Sequence, residues 1–256
     1  MAEAVPNGSA VFIGPDGRVV ARQQAGKARV SASTIKLPLV LEVLRQESLG
    51  ALDLSEQYTV RAADVVGGTG ILQQQVGRTL PLRELARLAI VYSDNVAANV
   101  LLDRLGMERL NASLRAAGFA GTRFERRFLD TAAQARGLEN WTTADDLAQM
   151  LRGVWARTLF GPAVSERMLE LLKERGGRDP DWLGLGLPPD ARLFHLNGTL
   201  AGVRNDAGIV SFGRGQAYVL VVCQDQLPDE ARGERAIAAL ARRVHPLVAA
   251  AKNGLP

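Results

Sequence analysis

The sequence predicts an α+β protein: an antiparallel sheet of about five strands flanked by helices, with an all-helical lobe inserted into it. Two observations carry that expectation. β-Prone runs separated by tight turns stand at both ends of the chain, whereas from Ser33 to about Lys173 the apolar residues recur at helical spacing. A third observation bounds it. The 256 residues, 47% hydrophobic and 23% charged, can bury one large core or two lobes and are too apolar for a disordered tail.

The elements follow in order. Ala10–Ile13, the turn Gly14-Pro15-Asp16-Gly17 and Val19–Ala21 read as an opening hairpin, because the turn residues supply the backbone angles two β-prone runs need. Helical spacing then marks Ile35–Arg45, Pro81–Val91, Asn95–Leu105, Glu108–Ala117, Thr143–Trp155 and Ser165–Lys173. The first of these is apolar on almost every side, as a buried helix is. Thr142 and Thr143, with Asp145 and Asp146 three residues on, read as an N-terminal cap. Strands return at Arg192–Leu196, Val203–Phe212 and Gln216–Cys223, the last two joined through Gly213-Arg214-Gly215. A final helix runs from Asp229 to His245, with acids in its first turn and Arg242 and Arg243 near its end, which suits the helix dipole. In this order, residues 1–32 and 185–256 are expected to form one discontinuous lobe, with the opening strands in the same sheet as Val203–Phe212. Residues 33–184 form the helical lobe, and a cleft between the two is the default place for a site.

Composition narrows the function classes. The net charge is +4, but lysine occurs only at Lys27, Lys36, Lys173 and Lys252, and the arginines are interspersed with acids. No basic block interleaved with aromatics occurs, so no nucleic-acid partner is expected. The single Cys223 cannot form an intrachain disulfide and reads as core, and His195 and His245 alone do not assemble a zinc cluster. No metal or cofactor is implied. No run of ~18 apolar residues is present, so no membrane partner is expected. The first residues show neither a basic nor an apolar leader region, so the chain as it stands carries no export signal and leaves its compartment undetermined. A monomer is expected. His245 before Pro246 reads as a helix end.

Ser33-Thr34-Ile35-Lys36 sits where the hairpin gives way to the first apolar helix. Residues three apart share a helical face, so Ser33 and Lys36 can meet at a helix start, where unpaired N–H groups favour developing negative charge. Desolvation there would free Lys36 of its proton and make it a base. Taken alone, the pair reads as an N-cap serine beside a snorkelling lysine. Tyr92-Ser93-Asp94-Asn95, between two apolar helices, reads alone as a capped turn. Gly67-Gly68-Thr69-Gly70 lacks the Gly-Lys-Ser/Thr ending of a phosphate loop and reads as a structural turn.

Together these segments resemble the class A β-lactamases and penicillin-binding proteins, in which a serine nucleophile, a lysine, a second serine and an asparagine form one constellation. Ser33–Lys36 followed by Leu37-Pro38, then Gly67–Leu72, Ser93–Asn95 with Ala97–Leu102 behind it, and Gly202–Val210 stand in the family's order, and the resemblance covers nearly the whole chain. It implies a β-lactamase/transpeptidase-like fold. It further implies that Ser33 is acylated, that Lys36 activates it, that Ser93 relays a proton to the leaving nitrogen and that Asn95 orients the substrate amide.

Two departures stand out. Where the family has Lys-Thr/Ser-Gly, this chain has Leu196-Asn197-Gly198 after His195, so the usual strand cation is missing. Asn197 and Gly198 are retained as candidates for the substrate wall, the Thr199 N–H can pair with that of Ser33 as an oxyanion hole, and His195 is expected as a titratable neighbour of the cleft. The loop glutamate that activates water in true class A enzymes is replaced by Phe128. Arg126-Arg127 through Asp130, then Gly137–Thr143 and Asp146, resembles a wider branch of β-lactamase-like serine hydrolases, which makes Asp130 the candidate loop carboxylate, as base or as partner to Arg126. The expected function is inefficient hydrolysis of a β-lactam or related cyclic amide through an acyl-enzyme on Ser33. The alternatives are an esterase, amidase or peptidoglycan-peptide hydrolase, or a catalytically impaired ligand-binding pseudoenzyme.

Overall fold

The computed structural model describes Val5 and residues 7–176, 182–213 and 215–250. β1 (Gly8–Ile13) and β2 (Val19–Gln23) form the opening hairpin, turning at Gly17 with φ 77°, and β3 (Arg29–Val30) leads into a 3₁₀ turn at Ala32–Ile35. The helical lobe begins with α1 (Lys36–Ser48) and a small ribbon of β4 (Gln57–Thr59) and β5 (Thr79–Pro81). It continues with α2 (Leu82–Val91), α3 (Asn95–Leu105), α4 (Met107–Ala116), the short α5 (Thr131–Ala135), β6 (Trp141–Thr142), α6 (Ala144–Trp155) and α7 (Pro162–Arg175). The chain returns to the sheet through β7 (Arg192–Leu200), β8 (Val203–Phe212) and β9 (Gln216–Gln224), and ends in α8 (Glu230–Ala250).

The sheet has the order β2-β1-β9-β8-β7, antiparallel throughout, so the opening hairpin and the closing strands share it as expected. Both its faces are covered, and period-two alternation sorts the side chains. On β9, Val219, Val221 and Cys223 face the helical lobe, while Tyr218, Leu220 and Val222 meet Ile237, Leu240 and Val244 of α8. In the helical lobe α1 packs against α2, α3, α4 and α7, and every residue from Lys36 to Leu44 is buried. Each buried leucine or valine there stabilises the lobe by roughly 1.5–3 kcal/mol, which sets the floor of the cleft rigidly.

Several boundaries differ from expectation. Thr143 caps α6 as read, its hydroxyl accepting from the Asp146 N–H at 3.0 Å. α7 starts at Pro162, not Ser165, because Gly161 turns the chain at φ 94° and proline suits the first helical position. β7 runs on to Leu200, since its register with β8 is unbroken from Arg192↔Ser211 to Leu200↔Val203. α8 does not end at His245 but continues through Pro246 to Ala250. Val244 and Val248, one turn apart and both buried, anchor it to the sheet across the lost hydrogen bond. The two-residue pair β3–β6, the ribbon β4–β5 and α5 were too short to show a period. Arg214, in the predicted hairpin, lies outside the described residues; the strands beside it pair at Phe212↔Gln216.

Three contacts hold the approach to Ser33 against the sheet. Arg29 Nη1 donates to Asp225 Oδ1 at 2.6 Å, both groups buried. The Asn205 amide donates to the carbonyls of Val30 and Ser31 at 2.8 and 3.0 Å. On the other side Ser31 donates from both N–H and hydroxyl to the Asn140 carbonyl at 2.9 Å. The turn carrying Ser33 is thereby fixed between the sheet and the loop that precedes β6.

Candidate active site

A cavity of about 380 Å³ opens between the sheet lobe and the helical lobe, and Ser33, Ser93, Asn95, Asn197 and Thr199 line it. Three elements supply them. The 3₁₀ turn before α1 presents Ser33, the turn between α2 and α3 presents Ser93 and Asn95, and β7 runs along the third side. The contact between β7 and the first turn is close. A Cβ placed on Gly198 would lie 2.9 Å from Ser33 N and 3.0 Å from Ser31 O, so only glycine lets the strand pass here. This brings the Ser33 N–H and the Thr199 segment onto one wall, as an oxyanion hole requires.

Lys36 is the hub. It is fully buried, and its Nζ lies 3.1 Å from Ser33 Oγ, 3.0 Å from Ser93 Oγ, 2.6 Å from the Ser93 carbonyl and 2.7 Å from Asn95 Oδ1. The expected meeting of Ser33 and Lys36 one turn apart is therefore present, and the Ser93 hydroxyl joins it. Burial, then the positive charge of Arg175, bring the lysine down to about 7, against an opposing pull from Asp94. The neutral amine is thereby far more accessible near pH 7 than in an unperturbed lysine, whose proton is held to about 10.5.

The turn bearing Ser93 is built for position. Ser93 has φ 51° and Ala32, beside Ser33, has φ 45°, left-handed conformations that cost on the order of 1–3 kcal/mol each in non-glycine residues and persist only where the surroundings fix them. Asp94, fully buried, caps α3 through the Ala97 N–H at 2.9 Å and accepts from the Ile71 and Leu72 N–H groups at 2.7 and 2.9 Å. The Gly67–Gly70 segment is the structural turn expected of it. Asn95 N–H donates to the Thr69 carbonyl at 3.1 Å, and a Cβ on Gly70 would strike the Asp94 carboxylate at 2.5 Å. Gly68 and Thr69 also line the cavity.

Two expected participants are placed elsewhere. His195 is not a neighbour of the cleft: it is buried, with Nδ1 2.8 Å from Asp206 Oδ1, and the second oxygen of Asp206 accepts from the Leu183 N–H at 3.1 Å. Asp206 opposite Asn197 on β8 draws the ring into the sheet lobe. Asp130 does not pair with Arg126, nor does it line the cavity. Its carboxylate caps α5 by accepting the Ala133 N–H at 2.8 Å, while Arg126 pairs with Glu139 at 2.6 Å because Glu139 lies directly across the loop. Asp130→Ala is accordingly expected to cost about 0.5–2 kcal/mol of stability in urea unfolding, as a lost N-cap does, and to leave the lifetime of any covalent adduct on Ser33 unchanged.

Phe128 lines the cavity, and Leu196 stands on β7. The Asn99 side chain brackets the Phe128 backbone, accepting its N–H at 2.8 Å and donating to its carbonyl at 3.1 Å, and the ring comes to 4.9 Å from Lys36 Nζ. Leu196 is buried in the core facing the helical lobe. Asn99 escaped sequence reading, although a polar residue in the apolar run Val96–Leu102, one turn past Asn95, marks it. Arg175 also escaped. It is 1% exposed, lines the cavity and donates to Asn197 Oδ1 at 2.5 Å, yet in the sequence it is only an ordinary basic residue at a helix end.

Comparison with known proteins agrees with this geometry. Residues 8–248 match the model of the β-lactamase enzyme family. A β-lactamase of Bacillus licheniformis is 28% identical over 216 residues, 83% of this chain and 69% of that protein. The match to a Rhodobacter capsulatus β-lactamase, 32% identical over 146 residues, takes in 56% of this chain and half the length of that enzyme. Among solved structures, a β-lactamase from Sphaerobacter thermophilus superposes with a TM-score of 0.84 at 27% identity, covering 97% of this chain and 93% of that one. A PBP-A variant, solved as an acyl-enzyme complex with penicillin G, superposes with a TM-score of 0.85 at 26% identity, covering 97% and 92%. The chain therefore belongs to the β-lactamase enzyme family, a β-lactamase-like serine hydrolase with the fold of the class A enzymes.

Proposed function

We propose that Ser33 is acylated by a β-lactam or related cyclic amide and that the acyl-enzyme is hydrolysed slowly. The observation that carries this reading is the buried Lys36 amine standing 3.1 Å from Ser33 Oγ and 3.0 Å from Ser93 Oγ. Neutral Lys36 takes the Ser33 hydroxyl proton as Oγ bonds to the carbonyl carbon. The Ser33 and Thr199 N–H groups receive the oxyanion, and Asn95 orients the substrate amide. Lys36 and Ser93 then pass the proton to the ring nitrogen, whose bond to the carbonyl carbon breaks and leaves an ester on Ser33. Water must next cleave that ester. No carboxylate stands at the loop position over Lys36, where Phe128 presents its ring instead. Losing a positioned general base typically costs ~10²–10⁴-fold in rate, so the ester is long-lived.

Incubation with a fluorescent penicillin and a chromogenic cephalosporin, followed by intact mass, tests the reading. The expected result is a single adduct that persists for minutes and is absent from Ser33→Ala. Labelling of Ser33→Ala to the same extent as the parent would falsify it. No adduct and no turnover with any acyl donor would instead leave a cleft that binds without reacting.

A further inference from the structure

The geometry points to Thr69 as a positioning residue for the general base: its hydroxyl holds the Ser93 carbonyl that takes one N–H of Lys36, and so keeps the amine's lone pair turned to the Ser33 and Ser93 hydroxyls. This inference rests on the acylation of Ser33 proposed above. Its basis is the matching of donors to acceptors. Lys36 Nζ lies 2.6 Å from the Ser93 carbonyl, 2.7 Å from Asn95 Oδ1, 3.0 Å from Ser93 Oγ and 3.1 Å from Ser33 Oγ. The first two oxygens can only accept, whereas the hydroxyls accept or donate. A neutral amine has two N–H bonds and one lone pair, and the two shortest contacts spend both N–H bonds. The lone pair is left for a hydroxyl proton, as a base for Ser33 requires. Its direction is therefore set by where the Ser93 carbonyl and Asn95 Oδ1 stand.

Residues 67–70 hold both oxygens. Asn95 Nδ2 donates to the Gly67 carbonyl at 3.1 Å, and the Asn95 N–H donates to the Thr69 carbonyl at 3.1 Å. In these two bonds the loop contributes backbone atoms, which survive a change of its side chains. The third bond differs. Thr69 Oγ1 donates to the Ser93 carbonyl at 2.8 Å, so the two lone pairs of that oxygen are divided between Thr69 and Lys36. Thr69 is exposed at the cavity, where water could satisfy its hydroxyl. Its neighbours bring it over Ser93 instead: Gly68 and Gly70 have φ 77° and 122°, and only glycine lets position 70 pass the Asp94 carboxylate. The same peptide is gripped from its other side, where the Asp94 N–H donates to the Leu88 carbonyl at 3.1 Å. Thr69 also bears on charge. A carbonyl that already accepts one hydrogen bond offers less to an ammonium, and hydrogen bonds to the charged form favour that form. Without the Thr69 donor the Ser93 carbonyl turns wholly to Lys36 and supports its protonated state. The charges acting on Lys36 are otherwise Arg175 from α7 and Asp94 from the turn before α3. On the loop wall Phe128 is uncharged and Arg126 pairs with Glu139, and β7 meets the cavity through Asn197, Thr199 and Leu200.

The test compares the parent with Thr69→Val, which keeps the shape of threonine without its hydroxyl, and Thr69→Ser, which keeps the hydroxyl. Lys36 is titrated in the free protein through the NMR shift of its Cε, and acylation of Ser33 by a fluorescent penicillin is followed across pH and penicillin concentration. The parent midpoint is expected near 7. Thr69→Val is expected to raise that midpoint and to carry the rising limb of acylation upward with it. Its acylation at saturating penicillin is expected to slow by roughly two- to tenfold, the worth of one neutral hydrogen bond, with the half-saturating concentration unchanged. Thr69→Ser is expected to restore the midpoint, the limb and the rate. An unmoved midpoint in Thr69→Val, or a Thr69→Ser that behaves as the valine variant does, would overturn the inference with the acylation reading intact. So would a loss confined to the half-saturating concentration, which would make Thr69 a substrate contact. Absence of adduct in the parent would overturn the acylation reading, while the Lys36 midpoints still decide whether Thr69 governs the carbonyl.

Discussion

Lys36→Met is expected to slow acylation of Ser33 by ~10²–10⁴-fold, the range a positioned general base supplies, and to remove the pH dependence expected of the parent near neutrality. In the parent the rate should rise with pH through about 7, where burial and Arg175 place Lys36, since only the neutral amine can accept the Ser33 proton. Methionine matches the length of the lysine stem and leaves no group to titrate. The same residue governs stability. Unfolded, the lysine holds its proton to about 10.5, but folded it releases it near 7. Between these values the unfolded state binds more protons, so parent stability climbs as pH rises from 7. Urea unfolding of parent and Lys36→Met at pH 7 and pH 8.5 should show the parent gaining relative to the variant. The window stops below 9 because Cys223, held up to about 12 by burial, begins to contribute with opposite sign there. A rate profile for Lys36→Met that still rises through pH 7 would assign the base to another group.

The sequence carried the site wherever chemistry depended on local spacing, and lost it wherever it depended on a tertiary meeting. Ser33 and Lys36 are one turn apart, so their contact follows from helical geometry alone. Ser93 reaches them because two long apolar helices, both legible by period, converge at their turn. Asp130 failed for the opposite reason. Its place in a loop of mixed charge did not reveal that Glu139, thirteen residues beyond Arg126, takes the arginine and leaves Asp130 to cap α5. Similarly, strand alternation alone leaves His195 on either side of the cleft boundary, and it is Asp206 on the neighbouring strand that decides the matter. Arg175 was illegible because its burial depends on the passage of β7 and the end of α2 at the same point, and nothing local records that coincidence.

Phe128→Glu is expected to shorten the lifetime of the penicilloyl ester by ~10²-fold or more, at some cost to its formation. Asn99 holds the backbone of residue 128 by both its N–H and its carbonyl, and this grip does not involve the side chain, so a glutamate there inherits a fixed origin. From that origin the phenyl ring centroid already lies 4.9 Å from Lys36 Nζ, and a carboxylate on a stem of similar reach would face Lys36 from the wall of the cavity that Ser33 also lines. A base so placed can take a proton from that water as it attacks the ester carbonyl, the step that lacks a carboxylate in the parent. The cost falls on the first step. A carboxylate near Lys36 favours its protonated form, opposing Arg175 and adding to Asp94, so the rising limb of acylation should move above its position near 7. Adduct formation at pH 6 should therefore slow, while adduct loss at pH 8 quickens. Phe128→Gln, which preserves shape without a base, separates the two causes, because a water admitted by loss of the ring would speed deacylation equally in both variants. Equal lifetimes in Phe128→Glu and Phe128→Gln would show that the ring's exclusion of water, rather than the absence of a carboxylate, keeps the ester intact.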